Sequence, residues 1–373
     1  MSETPTPGTS RELGGAAVVV GGMVLALAGI QATAGIVGPA FLVVTLVITV
    51  QPLRGWLERH RVPGWASGIA ALLAVYGLLL AILGSLAWSL AQLATILPTY
   101  SAAFSKLWAG IVTQLESLGI TASAVSKWLG SVDLSGLAAG FGAILGSLTS
   151  GLSTFALLLM LVFFLTLDAD GFGRRLEFIA RFRPRITEGL VAFGQRVRRY
   201  WLVTSAFGLI VAVLDTIGLA LLSVPLAVTW GVLAFITNYI PNVGFFIGLL
   251  PPVLIALVDE GPGTALAVVM VYGVINLVVQ TIIQPRVTGD AVGLAPSVAL
   301  LSLLLWAVIL GPLGALLAIP ATLLLKSLLV DHNPNARWLA GLLDAGAAFP
   351  AIGPTHAGHP DQPRADQAKT ITP

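Results

Sequence analysis

The sequence predicts an all-α, polytopic integral membrane protein with about eight hydrophobic segments, including two broken, re-entrant-type helical hairpins in its C-terminal half. Three observations predict it. Hydrophobic residues make up 57 % of the 373 residues and charged residues only 10 %, where soluble domains carry roughly a quarter charged; mean hydropathy is +0.94. Apolar runs near spanning length recur along the chain. Between Asn238 and Pro320 those runs are interrupted at Pro241-Asn242-Val243-Gly244, Pro251-Pro252, Gln284-Pro285-Arg286, Ala295-Pro296 and Gly311-Pro312-Leu313-Gly314. Proline removes an amide donor and glycine weakens a helix, so each break frees backbone groups that hydrocarbon cannot solvate. Such breaks persist where protein or a water-filled cavity receives them, as at transport sites. Cysteine is absent, which excludes a disulfide framework, an iron–sulfur cluster and a thiol nucleophile.

Residues 1–12 form a polar lead without the basic start of a secretory signal. Apolar segments at 13–30 and 36–50, joined by five residues, predict a tight helical hairpin, and a basic loop with Arg54, Arg59 and Arg61 closes this region at 62. Positive-inside logic places that loop and both termini in the cytoplasm of a multi-pass protein of the cytoplasmic membrane. Residues 63–168 predict one long spanning helix with an amphipathic extension, then a Gly-rich return helix containing Gly136, Gly140, Gly142 and Gly146. Leu93, Leu97, Tyr100, Phe104, Leu107 and Ile111 give the extension one apolar stripe. It lies along the membrane surface or packs on a neighbouring subunit of a homo-oligomer.

The return helix is expected to end at Asp168-Ala169-Asp170-Gly171. Residues 169–200 then carry Arg174, Arg175, Arg181, Arg183, Arg185, Arg196, Arg198 and Arg199 against Glu177 and Glu188. Apolar residues at helical spacing between these arginines predict a basic amphipathic helix pair on the cytoplasmic face, with Pro184 opening the second helix. A nucleic-acid patch needs readers beside the arginines and exposure away from lipid, and neither is legible here. The polar tail, 331–373, reads as disordered.

Residues 201–330 are the predicted transport core. The span at 201–222 holds Asp215, the deepest carboxylate in the chain; such a group is a proton or cation site, or a protonated side chain facing the interior. The first broken hairpin, 227–258, places Asn238, Pro241, Asn242 and Gly244 at its tip. The next span, 264–283, carries Asn276 and Gln280 four residues apart, as interface glue or as the lining of a wet path, and ends at Pro285 and Arg286. The second broken hairpin, 294–329, folds at Gly311, Pro312 and Gly314. These twelve residues are the candidate solute or ion pathway.

No metal-ligand cluster, cofactor signature, Gly-rich nucleotide loop or catalytic constellation is legible, so an enzyme is not expected. The motifs Val62-Pro63-Gly64, Pro225-Leu226-Ala227, Ile240-Pro241-Asn242-Val243-Gly244, Gln284-Pro285-Arg286-Val287-Thr288-Gly289, Gly293-Leu294-Ala295-Pro296 and Gly311-Pro312-Leu313-Gly314, with Asn276 and Gln280, resemble the autoinducer-2 exporter-like family of permeases. That resemblance covers about residues 13–329. It implies a secondary transporter for a small polar solute or signalling molecule, coupled to protons or sodium, or else a sodium (lithium)/proton antiporter. A passive channel or scaffold is the remaining alternative from the residues themselves.

Overall fold

The computed structural model describes residues 21–22, 24–117, 152–241, 243–284, 286, 293–332 and 336–343, and among them helices are joined by short turns without a strand. Five helices are long and apolar enough to cross a membrane: Ala34–Arg59, Gly64–Ser89, Pro184–Leu221, Pro262–Ile283 and Pro312–Asp331. A sixth is the bent pair Ala156–Asp168 and Gly171–Phe182, and three shorter apolar helices, Ala227–Thr237, Val243–Asp259 and Pro296–Leu310, stand beside them. The class is therefore all-α and membrane-spanning, and among the described residues five helices, or six with the bent pair, are long and apolar enough to cross.

Helix α1 (Ala34–Arg59) absorbs Pro39 and Pro52 without ending. The predicted five-residue connection before it shrinks to a single turn residue, Thr33, where Thr33 N donates to Gly29 O at 3.2 Å and Val37 N to Thr33 O at 2.9 Å. Leu27 and Ile30 before this turn and Ala34, Val37 and Phe41 after it pack on one cluster. Helix α2 (Gly64–Ser117) is a single helix of 54 residues, about 80 Å at the usual rise. It continues well beyond its spanning part.

Helix α3 (Leu152–Phe182) corrects the expected stop after Asp168: the helix persists to Phe182 and bends by 64° instead. Arg175 donates Nη1 to Asp168 Oδ2 and Nη2 to Asp168 Oδ1, both at 2.6 Å, bracing the bend. Residues 118–151, including the predicted Gly repeats, lie outside the described residues. Helix α4 (Pro184–Leu221) starts with proline in its first turn, as expected. The second basic helix and the following span are thus one element.

Helices α5 (Ala227–Thr237) and α6 (Val243–Asp259) form the first broken hairpin. Helix α7 (Pro262–Asn276) runs on as a π-helix through Leu277–Ile283. Helices α8 (Pro296–Leu310) and α9 (Pro312–Leu325) form the second hairpin, and α9 also continues as a π-helix, Lys326–Asp331. Counting that extension, its second arm is long enough to cross. Gly311 turns this hairpin at φ 68° and ψ −148°, a conformation open to glycine.

The main core gathers α1, α2, α3, α4 and α9 around Leu46, Val75, Val162, Val197, Trp201 and Leu317. A second cluster joins Trp230, Ile255, Ala256, Val268 and Tyr272, holding the first hairpin against α7. The tail is not wholly disordered: α10 (Arg337–Leu343) returns to the second hairpin, where Ala295 N donates to Leu343 O at 2.8 Å. Asp331 also belongs to the folded part. It pairs with Arg196, and accepts from Lys326 Nζ at 2.7 Å.

Candidate functional site: a polar cavity behind the first hairpin

The first hairpin is built for close approach. A Cβ on Gly244 would fall onto the Thr237 carbonyl, and one on Gly248 would meet Thr237 Oγ1 at 3.0 Å, so α6 lies directly against the end of α5. Between them the chain turns at Asn238–Pro241, with Gly244 N bonding back to Ile240 O at 3.0 Å. Tyr239 clamps this tip to α4. Its ring lies 5.3 Å from that of Trp201, its hydroxyl pairs with Ser205 Oγ at 2.8 Å, and its carbonyl accepts from Tyr200 OH at 3.2 Å.

Behind the tip is a cavity of about 260 Å³, lined by α4, both arms and tip of the first hairpin, and α7 with its π-helical end. Asp215, Thr237, Asn238, Tyr272, Asn276, Gln280 and Thr281 supply its polar groups, and no Lys, Arg or His is among its described lining. One carboxylate, three carboxamides and three hydroxyls can bind a hydroxyl-rich neutral molecule or a cation. They offer no counter-charge to an anion.

Asn238 organises the wall. It donates Nδ2 to Thr204 O at 3.2 Å and accepts from Gln280 Nε2 at 2.5 Å, linking α4, the hairpin and α7. The π-helix begins just after Asn276. Wider turns of this kind occur mostly as local insertions at functional positions. Asp215 is 2 % exposed, and its Oδ1, like the Tyr272 hydroxyl, has no hydrogen-bond partner among the described residues. Orphaned polar atoms beside a polar cavity are groups with binding capacity to spare.

Of the predicted pathway residues, the fold gathers Asp215, Asn238, Pro241, Gly244, Asn276 and Gln280 at this cavity. Arg286 is exposed, and Asn242 and Pro285 lie outside the described residues. Gly311, Pro312 and Gly314 sit in the second hairpin, whose Leu313 packs near Gly38 of α1; they do not line the cavity. Gly314 repeats the packing of Gly244, since a Cβ there would fall onto the Trp306 carbonyl. Sequence reasoning missed Tyr272, whose hydroxyl within a spanning run was a readable signal, and the pairing of buried Lys326 with half-buried Asp331. Lys326, in an otherwise apolar run and 5 % exposed, was equally readable.

Membrane-crossing helices, a broken hairpin and a polar cavity together point to a multi-pass membrane transport protein. The chain belongs to the AI-2E transporter family: the family model described as "AI-2E family transporter" matches residues 20–332. It is 33 % identical over 332 residues to the AI-2 transport protein TqsA of Escherichia coli (strain K12), covering 87 % of this chain and 94 % of that protein. It is 28 % identical over 325 residues to the putative transport protein YhhT of the same strain, covering 87 % and 92 %. A putative transport protein of Haemophilus influenzae is 27 % identical over 337 residues, covering 87 % and 94 %.

Proposed function

We propose that the protein is a secondary transporter of the cytoplasmic membrane that carries a small, hydroxyl-rich polar solute through the cavity behind the first hairpin by alternating access. The observation that carries this reading is the lining itself, a single carboxylate among amides and hydroxyls without a cation. Autoinducer-2, a signalling molecule named in the description of the TqsA relative, is the first solute to test. The carbonyl-packed turn at Gly244 holds the two arms together as one body, and its motion would break the Tyr239–Ser205 and Asn238–Gln280 bonds that hold the tip to α4 and α7. Asn238 and Gln280 orient the solute, and Asp215 couples its passage to a proton or cation because Oδ1 is free to bind one. That carboxylate also favours a second reading, cation/proton exchange without an organic solute.

Positive-inside logic orients the protein with the Arg-rich region and both termini in the cytoplasm. Because the chain has no cysteine, Arg185→Cys should react with a membrane-impermeant thiol reagent only from that side; labelling from outside overturns the orientation.

Flux in proteoliposomes tests the function. With an imposed proton gradient, autoinducer-2 uptake should depend on internal and external pH, and Asp215→Asn should remove that dependence while retaining exchange. Gln280→Ala should lower flux up to roughly tenfold, the scale of one hydrogen bond. Sodium- or lithium-driven proton movement without autoinducer-2 flux selects the exchanger. Unchanged flux and pH response in both variants places the pathway elsewhere.

A further inference from the structure

Beyond the bend at Asp168, the segment of α3 from Gly171 to Phe182 leaves the direction of its membrane-crossing part by 64°. With the crossing part near the membrane normal, such a bend directs the last turns along the membrane surface. The crossing part presents Leu157, Met160, Phe164 and Leu167 outward, each more than half exposed. After the bend the outward apolar surface continues through Phe172, Phe178, Ile179 and Phe182, with Phe178 and Phe182 62 % and 68 % exposed.

At helical periodicity these four side chains share an arc of about 120°. Arg174 and Arg181 border that arc on one edge, with Leu176 and Ala180, both less exposed, on the other. Arg175 falls inside it. There it would oppose immersion, but Asp168 takes both of its guanidinium nitrogens in a bidentate pair. Arg183 and Arg185, both exposed, add positive charge where α3 passes into α4.

We propose that residues 171–182 form an interfacial helix that docks on an anionic leaflet, with the phenylalanine arc below the phosphates and Arg174, Arg181, Arg183 and Arg185 on anionic phospholipid headgroups. Asp168 is its positioning residue, because pairing Arg175 lets the arc enter. Continuity with the lipid-facing surface of the span favours lipid as the occupant, and the flanking charge favours an anionic one. Long arginine stems can keep their charge at phosphate level while the ring faces sink.

The absence of native cysteine allows a direct test on the full-length protein. Spin labels are placed singly at Phe178→Cys and Glu177→Cys in vesicles of phosphatidylcholine, with and without phosphatidylglycerol. Collision with oxygen and with a water-soluble nickel chelate reports depth. The label at 178 should show a severalfold higher oxygen-to-chelate ratio than that at 177. The difference should grow with phosphatidylglycerol, and Arg174→Gln with Arg181→Gln should remove that growth. Asp168→Asn should lower the ratio at 178. Phe182→Cys replaces Phe178→Cys if the latter fails to reconstitute. Equal ratios at the two sites overturn the docking, and a depth indifferent to phosphatidylglycerol overturns the anionic partner. Spin–spin broadening at 178 that vanishes on dilution with unlabelled chains assigns the arc to a second copy and also overturns it. A ratio at 178 unmoved by Asp168→Asn removes the role given to that carboxylate.

Discussion

At the residue scale, Asn238 is the joint of the site, because one side chain bonds both the α4 backbone and Gln280. Gly208 makes room for it: a Cβ there would lie 2.6 Å from Asn238 Nδ2. Gly208→Ala should therefore push the amide off Gln280. Overpacking of this kind destabilises by about 1–3 kcal/mol, so the variant should melt earlier in detergent and lose flux. Asn238→Ala, which removes the obstructed amide, should make Gly208→Ala nearly silent in melting; additive losses would show that Gly208 acts through something else. Asp215, Asn276 and Gln280 were legible as polar residues in apolar runs, since the membrane makes each of them exceptional. What the sequence could not convey was that Asn238 and Gln280, 42 positions apart, meet.

At the element scale, the short arms and their turn were legible because Pro and Gly act locally, through a missing donor and a missing Cβ. Which hairpin holds the cavity was not, since that depends on how α4 and α7 close around the first hairpin while α1 covers the second. The π-helical end of α7 was equally hidden, because its wider turn follows packing rather than any residue signature. Deleting Val278 should restore ordinary α spacing and rotate the following residues by about 100°. Counterflow should then fail while membrane insertion, read by surface labelling, stays intact. The outer part of α2 offers a pH test. Tyr100 donates to Asp259 Oδ2 at 2.7 Å. Partial burial first, then that bond and the carboxylate's charge, push its pKa up to about 12. A raised pKa makes the contribution of this contact complete below the ordinary tyrosine value, near 10, and lost as pH rises through about 12. The distance between spin labels at Ala109→Cys and Glu260→Cys should stay constant up to that window and lengthen within it.

At the scale of the whole molecule, the two ends of the core are tied by charge. Arg196 of α4 pairs with Asp331, which also holds Lys326, at the end of α9. The cluster is only part-buried, with Arg196 34 % and Asp331 11 % exposed at their side chains, so water screens part of its strength. Asp331→Ala removes the acceptor that both cations share and should therefore lower the melting temperature more than Lys326→Met, which leaves the Arg196–Asp331 pair in place; the reverse order would show that the carboxylate is not what holds the helices. The helices themselves were legible from composition, whereas this long-range tie was not, because a polar tail conceals a residue that folds back into the core. The cavity also has a consequence for water. Its polar walls and about 260 Å³ leave room for several waters. If cargo passes through this cavity as proposed, each transport cycle exchanges that water for cargo. Osmolytes too bulky to enter will therefore favour whichever conformation holds less of it, making turnover sensitive to osmotic pressure even when every driving gradient is held constant.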